Sequence, residues 1–335
     1  MDKFVMKRLI QQISSCLFVV SSPLLAPISP AMAAFPERAI TLVVPFAAGG
    51  PTDALARLLG QRISQVVKQP IIIENIGGAS SMLGTARAAK APPDGYTILI
   101  NDLALPSAPY LRKNLPINVR TDLTPIGLIN AGPLILIARK SMRADTAAQM
   151  FALFKAEQTN IKFGHGGTGT NSQMCGLLIQ QALGVTFTSV PYRGTGPAMN
   201  DLLGGTLDIL CEQSQTALPQ VLGDKVTAYG VTSTARIVSI PNVPTLAESG
   251  LTGFDFLVWH GLYAPKGTPD AIVEALNRAL NSSLDDPTTR QRYTEMGRVE
   301  FPPDQRTPTA HKARLDFEID RLGKLLEAAG IKPEE

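Results

Sequence analysis

A chain of 335 residues holds one large domain or two ordinary ones, and 44% apolar residues are enough for a real core. Charge is moderate at 18%, and the formal net charge of +3 comes partly from Lys3, Lys7 and Arg8 at the very start. No basic stripe stands out, so nucleic acid is not an expected partner.

Residues 1–33 read as a secretory signal peptide. The basic start is followed by an apolar centre from Ile13 to Leu25 and by Ala31-Met32-Ala33, a small-x-small cleavage site. Ser21-Ser22-Pro23 interrupts the apolar run, which falls short of the roughly 20 residues that span a bilayer. Cys16 would leave with the peptide. Cys175 and Cys211 remain, and in an oxidising compartment they either pair or stay as two buried thiols. The mature protein is expected to be soluble and exported.

From Phe35 onward short strands alternate with helices, which argues an α/β architecture. Ile40–Val44 reads as a buried strand. It runs through Pro45-Phe46-Ala47-Ala48-Gly49-Gly50 into an amphipathic helix over Thr52–Val67. A glycine turn at a helix start points backbone N–H groups outward and favours an anion. The same pattern recurs. Strand Ile71–Asn75 leads to Gly77-Gly78-Ala79-Ser80-Ser81 and a helix from Met82 to Lys90, and strand Tyr96–Ile100 ends at Asn101-Asp102. In an open α/β sheet, ligands bind outside such strand ends.

Residues 103–125 read as loop with short helical pieces. Ile126 to Ala138 is long and apolar, broken by Gly132-Pro133, and reads as an extended connection between domains. A helix over Thr146–Gln158 and strand Ile161–Phe163 precede a third Gly/Thr/Ser turn, Gly164 to Ser172, ahead of helix Met174–Leu183. Gly164, Gly166 and Gly169 spell G-x-G-x-x-G, but the next strand, Phe187–Val190, ends in Pro191-Tyr192-Arg193 without the acid that a dinucleotide site needs. Helix Ala198–Leu203, strand Leu207–Leu210, helix Thr216–Leu222 and strand Ala228–Thr232 complete a second half. Pro241–Gly250 reads as a turn with a short helix, and Phe254–Ala264 as the return connection. The tail is helical over Ala271–Leu284, Thr288–Met296 and Pro308–Ala329.

Catalytic and metal-binding signatures are missing. His165, His260 and His311 are scattered, and there is no CxxC, G-x-S-x-G or P-loop lysine. Asp201, Asp208 and Glu212 read as structural carboxylates rather than an acid pair. His165 reads as a ligand contact or a loop brace rather than a base. No catalytic residue, metal or cofactor is expected.

Taken in order, Val44–Asp53, Glu74–Ser80, Pro93-Asp94-Gly95-Tyr96-Thr97, Gly164–Thr170, Val190–Gly194, Asp201–Gly205, Pro241–Gly250 and Ala264–Pro269 resemble the Bug-type (TctC-like) extracytoplasmic solute receptors of tripartite tricarboxylate transporters. The resemblance runs from Phe35 to about Gly330. It implies a two-lobed, periplasmic-binding-protein-like II fold with a ligand cleft between the lobes. Lobe 1 would comprise 34–132 and 256–335, and lobe 2 would comprise 133–255. It implies a monomeric periplasmic receptor that closes on a small carboxylate and hands it to membrane permease subunits. The carboxylate class stays open among di- and tricarboxylates, aromatic acids and amino acids. The same receptor serving as a sensor is the alternative, and a secreted enzyme is disfavoured.

Carried over, the resemblance assigns ligand contacts in lobe 1 to Phe46, Ala47, Gly50, Thr52 and Asp53, to Asn75, Gly78, Ala79 and Ser80, and to Asn101. Lobe 2 would add Thr168, Gly169, Thr170, Tyr192, Arg193 and Asp208. Oriented amides and water would hold the carboxylate without an arginine clamp. Asp53 either caps its own helix or meets a ligand's amino group. Arg193 either pairs a distal carboxylate or an aspartate such as Asp208. Trp259 belongs to the core or packs the ligand. Three departures stand out: Ala48 replaces the family's proline, Gln173-Met174 its His-Leu pair, and Asn101-Asp102-Leu103 its Ser/Thr-rich stretch.

Overall fold

Strand β1 (Ile40–Val44) buries Ile40, Leu42, Val43 and Val44, so both of its faces are covered. That is the signature of a parallel strand between helix layers. The computed structural model describes residues 35–328 and residue 333. The expected signal peptide, with Cys16, lies outside them.

The first half follows the βα alternation that the sequence sets. It comprises α1 (Pro51–Val67), β2 (Ile71–Asn75), α2 (Met82–Ala89), β3 (Thr97–Asp102) and α3 (Ala104–Leu111). β1 lies between β2 and β3, parallel to both. Pro51 takes the first helical position of α1, where its missing N–H costs nothing. β3 runs two residues further than the sequence suggests, as far as Asp102.

Residues 126–138 are extended, as the sequence suggests. They belong to β4 (Leu123–Arg139), a 17-residue strand. The second half then comprises α4 (Ala147–Glu157), β5 (Lys162–His165), α5 (Asn171–Leu183), β6 (Thr188–Pro191), α6 (Thr195–Leu203), β7 (Ile209–Gln213), α7 (Ser214–Leu222) and β8 (Val226–Val231). β9 (Leu257–Pro265) returns the chain to the first half. There it meets α8 (Asp270–Leu284), α9 (Pro287–Glu295), β10 (Val299–Glu300) and α10 (Pro308–Ala328). Residues 241–250 form turns and one isolated bridge, from Thr245 to Val231, without the short helix expected.

β4 belongs to both halves. Its first part pairs with β9 and β10, and its second part with β7 and β8. The change of partner falls at Pro133-Leu134, where a proline does least harm because the ladder is being exchanged. Across the sheet the order is β2-β1-β3-β9-β4-β7-β5-β6. Cys175 on α5 and Cys211 on β7 are joined as a disulfide, which settles the alternative left open by the sequence.

Candidate functional site

Three helices begin at one small cavity. Gly50, Pro51 and Thr52 open α1, Thr170, Asn171 and Ser172 open α5, and Gly194 and Thr195 open α6; all of them line it. Glu212 and Gln213, the last residues of β7 and the approach to α7, close the wall. The first-turn amides of a helix have no intrahelical partner and carry the positive end of its dipole. Helix starts aimed at one point therefore favour an anion there. The cavity measures about 30 Å³, space for a group the size of two or three waters at about 10–15 Å³ each.

Side-chain donors follow from the hydrogen bonds behind the cavity. Arg298, fully buried, reaches Nδ1 of His260 at 3.2 Å, so that nitrogen is the acceptor. His260 Nε2 then carries the proton and donates to Thr52 Oγ1 at 3.3 Å. Burial, followed by the Arg298 charge, holds His260 well below the usual imidazole range, consistent with this neutral form. With its oxygen already accepting, Thr52 keeps its own proton for the cavity. Arg298 is fixed in turn by the oxygens of Asn130, Gln215 and Val258, and burial brings its pKa down to about 10.

A second chamber of about 200 Å³ lies at the mouth. Phe46 and Gly166 line both chambers. Gly78, Ala79, Ser80 and Ser81 form one wall, with Thr168, Tyr192, Arg193 and Arg112 around them. Ala79, Ser80 and Ser81 all have positive φ, at 47°, 53° and 74°. Such strain in three successive non-glycine residues persists only where the surroundings impose it, and it clusters at functional loops.

The two sides of the cleft touch. Ala47 N–H donates to Arg193 O at 3.1 Å, and Ser107 Oγ donates to Gly169 O at 3.0 Å. Asp102 accepts from Asn171 Nδ2 at 2.5 Å and from Gln213 Nε2 at 3.3 Å. Burial pushes the Asp102 carboxyl up to about 6, against the lowering pull of these donors and of Arg298.

The structure thus brings most of the expected contacts to the two chambers: Phe46, Gly50, Thr52 and Thr170 inside, and Phe46, Gly78, Ala79, Ser80, Thr168, Tyr192 and Arg193 outside. Ala47 and Gly169 bridge the cleft through their backbones. Four others line neither chamber. Asp53 neither lines a chamber nor caps α1, whose start has no side-chain cap bond; it turns back to accept from Gly49 N–H, ahead of the helix, and pairs with Arg57, bracing the first loop. Asn75 donates to Phe46 O and Asp53. Asn101 is buried against Thr85; its neighbour Asp102 points the other way, because successive strand residues alternate faces. Asp208 is a correction. It precedes β7 rather than lying in it, at the end of the strand away from the cleft, and pairs with Arg139 at 2.8 Å. The guanidinium of Arg193 pairs with no carboxylate among the described residues, so the Asp208 partnership is not formed. Trp259 is in the core, edge-on to His311.

Residues 55–330 match the family model described as the tripartite tricarboxylate transporter family receptor, TctC. The chain belongs to this family. The receptor is 40% identical over 312 residues to the UPF0065 protein of the TAR-I ttuE-ttuC' intergenic region of Agrobacterium vitis, covering 93% of this chain and 90% of that one. Its fold matches the periplasmic binding protein BugD at a TM-score of 0.87 and 37% identity, over 90% of this chain and 100% of the other. It also matches MatC from Rhodopseudomonas palustris, solved with bound malate, at 0.84 and 38%, over 87% and 100%. The architecture is the periplasmic-binding-protein type with a cleft between two lobes.

Several cleft residues of the receptor escaped the sequence reading: Asp102, Arg112, Asn171, Thr195, Glu212 and Gln213. The rule that ligands sit at the carboxyl ends of strands reaches Asp102, Glu212 and Gln213 once the strand ends are correctly placed. Arg112, just beyond the end of α3, carries no local signal at all.

Proposed function

We propose that this receptor captures a small carboxylate in the periplasm, by closure of two lobes that part near residues 132–133 and 255–256, and delivers it to a permease of its transporter. The observation that carries the reading is the meeting of three helix starts on one cavity, with the Thr52 hydroxyl proton added to their amides. These donors would hold the carboxylate head between Phe46, Gly50, Thr52 and Thr170. The outer chamber, with Ser80, Tyr192, Arg193 and Arg112, would take the rest of the molecule. Bound malate in MatC supports an organic acid of this size. The expected signal peptide supports export. Hinge closure suits β4, the strand that the two halves of the sheet share.

A thermal-shift panel of carboxylic acids on the purified receptor tests this. An acid at 100 times its dissociation constant adds about 2.7 kcal/mol, a shift of a few degrees. A response confined to carboxylates supports the reading. Failure of every acid, with no acid released on denaturation and seen by mass spectrometry, overturns it.

A further inference from the structure

Glu212 stands in the wall of the inner cavity and is 1% exposed. Its two oxygens are treated differently. Oε1 accepts from Thr216 Oγ1, the Gln213 N–H and Thr195 Oγ1, at 2.7, 3.0 and 3.1 Å. Oε2 is buried and receives no donor. An ionised carboxyl only accepts, and it spreads its charge over both oxygens, so both want donors. One oxygen with three donors and the other with none is the arrangement of an acid, whose carbonyl accepts and whose second oxygen holds the proton. The charged groups around it are committed elsewhere. Arg298 is held by Asn130, Gln215, Val258 and His260, and Arg112 and Arg193 line the outer chamber. Asp102, the other acid of the inner cavity, accepts from Ala104 N–H, Asn171 and Gln213. On the elements packed against β7, Thr195 of α6 and Thr216 of α7 face Glu212. His165 of β5 turns to Ser189 and the Gly167 N–H, Arg139 of β4 pairs with Asp208, and Asp201 of α6 accepts from Tyr192.

A ligand carboxylate at the helix starts shares this small cavity with Glu212. Two such charges out of water repel, and one of two facing carboxyls keeps a proton. We propose that Glu212 binds the ligand as a neutral acid, donating its Oε2 proton to the ligand carboxylate, so that each binding event takes up a proton from solvent and each release returns it. The inference rests on the carboxylate-receptor reading and adds to it a donor on β7 and a coupled proton. Burial already brings the Glu212 carboxyl up to about 7, and an anion beside it raises it further. The bond is O–H to O⁻, the charge-assisted kind. Proton uptake on binding makes affinity fall as pH rises, toward about tenfold per pH unit above about pH 7.

The test is calorimetry of malate, succinate and adipate on the purified receptor between about pH 7 and about pH 9, where these acids are ionised. Titrations at one pH in HEPES and in Tris count the protons, because the buffers differ in ionisation heat. For the acids that bind, the wild type is expected to take up close to one proton each at about pH 8 and to lose about 50-fold in affinity across the range. Glu212→Gln, checked for an intact fold by circular dichroism, keeps an acceptor for the three donors and offers an N–H in place of the acid proton. Its proton count is expected to fall toward zero and its pH profile to flatten, so that at about pH 9 it binds more tightly than the wild type. Wild-type binding with no proton uptake and a flat pH profile, a measurement that needs no variant, overturns the proposal. An unchanged proton count in Glu212→Gln overturns the assignment to Glu212. Loss of binding at every pH in the folded variant overturns it too, because the site then uses the Glu212 charge. Binding of none of the acids by the wild type sinks the carboxylate-receptor reading instead.

Discussion

The Ala47 N–H donates to the Arg193 carbonyl at 3.1 Å and so locks the first-lobe loop to the second-lobe loop at the mouth of the cleft. Gly77 lies directly against this bond. A Cβ built there would stand 2.9 Å from Ala47 N and 3.1 Å from Arg193 O. The approach to Ala47 N lies within the first lobe and the approach to Arg193 O crosses the cleft, so one methyl group at this position strains both the first loop and the closed contact.

Gly77→Ala is therefore expected to displace the first loop and weaken the closed contact, while its own φ tolerates alanine because residue 77 is not among the positive-φ positions. Ligand affinity should fall by about tenfold or more, the effect of about 1.4 kcal/mol withheld from the closed state. The melting temperature without ligand should move by a few degrees at most. Calorimetry and solution scattering check it: the variant should keep its open dimensions in the presence of ligand. Wild-type affinity would remove the Ala47–Arg193 contact from the closure mechanism.

Arg112 gives a separate prediction. Its Nε is buried without a partner, and the one hydrogen bond of its side chain among the described residues, to Ser80 Oγ, is long at 3.5 Å. It lines the outer chamber with Arg193, so the two guanidiniums there have unused donors. Planar guanidinium donors fit a carboxylate. Arg112→Ala should weaken a dicarboxylate by about tenfold or more, the loss of a charge-assisted bond of about 1.5–3 kcal/mol, and leave a monocarboxylate within about threefold. Equal losses for both acids would show Arg112 to be a support of the Gly78–Ser81 loop only.

The disulfide predicts how stability responds to reduction. Cys175 and Cys211 are separated by 36 residues and tie α5, a helix that opens on the cavity, to β7, which carries Glu212. Closing a loop of this length removes unfolded-chain entropy worth about 4 kcal/mol on the chain-entropy model. Cys175→Ser with Cys211→Ser, or reduction with dithiothreitol, should lower the melting temperature by several degrees. A melting curve unchanged by reductant would mean that the two thiols are not joined in the purified protein.

Much of this fold is legible in sequence because its strands are short apolar runs that end in glycine turns. The strands 40–44 and 71–75 come directly from that pattern. Two kinds of feature are not legible. β4 reads as a broken connection because Gly132-Pro133 normally ends a strand. It survives because the change of ladder partners falls at that point, and that is a tertiary fact. Offsets at strand ends matter just as much. Ending the third strand at Ile100 leaves out Asp102, which lines the cavity, while Asp208, structural by its place beside a strand, entered the site only through the family resemblance. The site loops were readable as anion-friendly turns. Glu212 was not, because a buried acid in a strand looks the same whether it braces a helix or faces a ligand.

The last prediction concerns pH, where buried groups pull in opposite directions. Burial pushes the Glu212 carboxyl up to about 7, against hydrogen bonds from Thr216, Thr195 and the Gln213 N–H, and pushes Asp102 up to about 6. Those three donors are the groups that face Glu212; Asp102 faces His260, Arg298 and Tyr263. A carboxyl with a raised folded pKa binds more protons folded than unfolded, so its stability contribution is present at low pH and is lost as pH rises through about 7. For Glu212 the whole swing is about 3 kcal/mol. His311 acts the other way. Burial pushes it down to about 3, and both ring nitrogens lack a partner. The folded protein then binds fewer protons than the unfolded chain below about pH 6.5, so stability falls as pH drops, by about 2 kcal/mol at about pH 5. Denaturant titrations between about pH 5 and 8 separate the two. Glu212→Gln should gain on the wild type as pH rises, by up to about 3 kcal/mol, while His311→Leu should gain on it as pH falls. Parallel stability curves for either variant and the wild type would show that the substituted group keeps its ordinary pKa, and for Glu212 that solvent reaches the carboxyl in the open cleft.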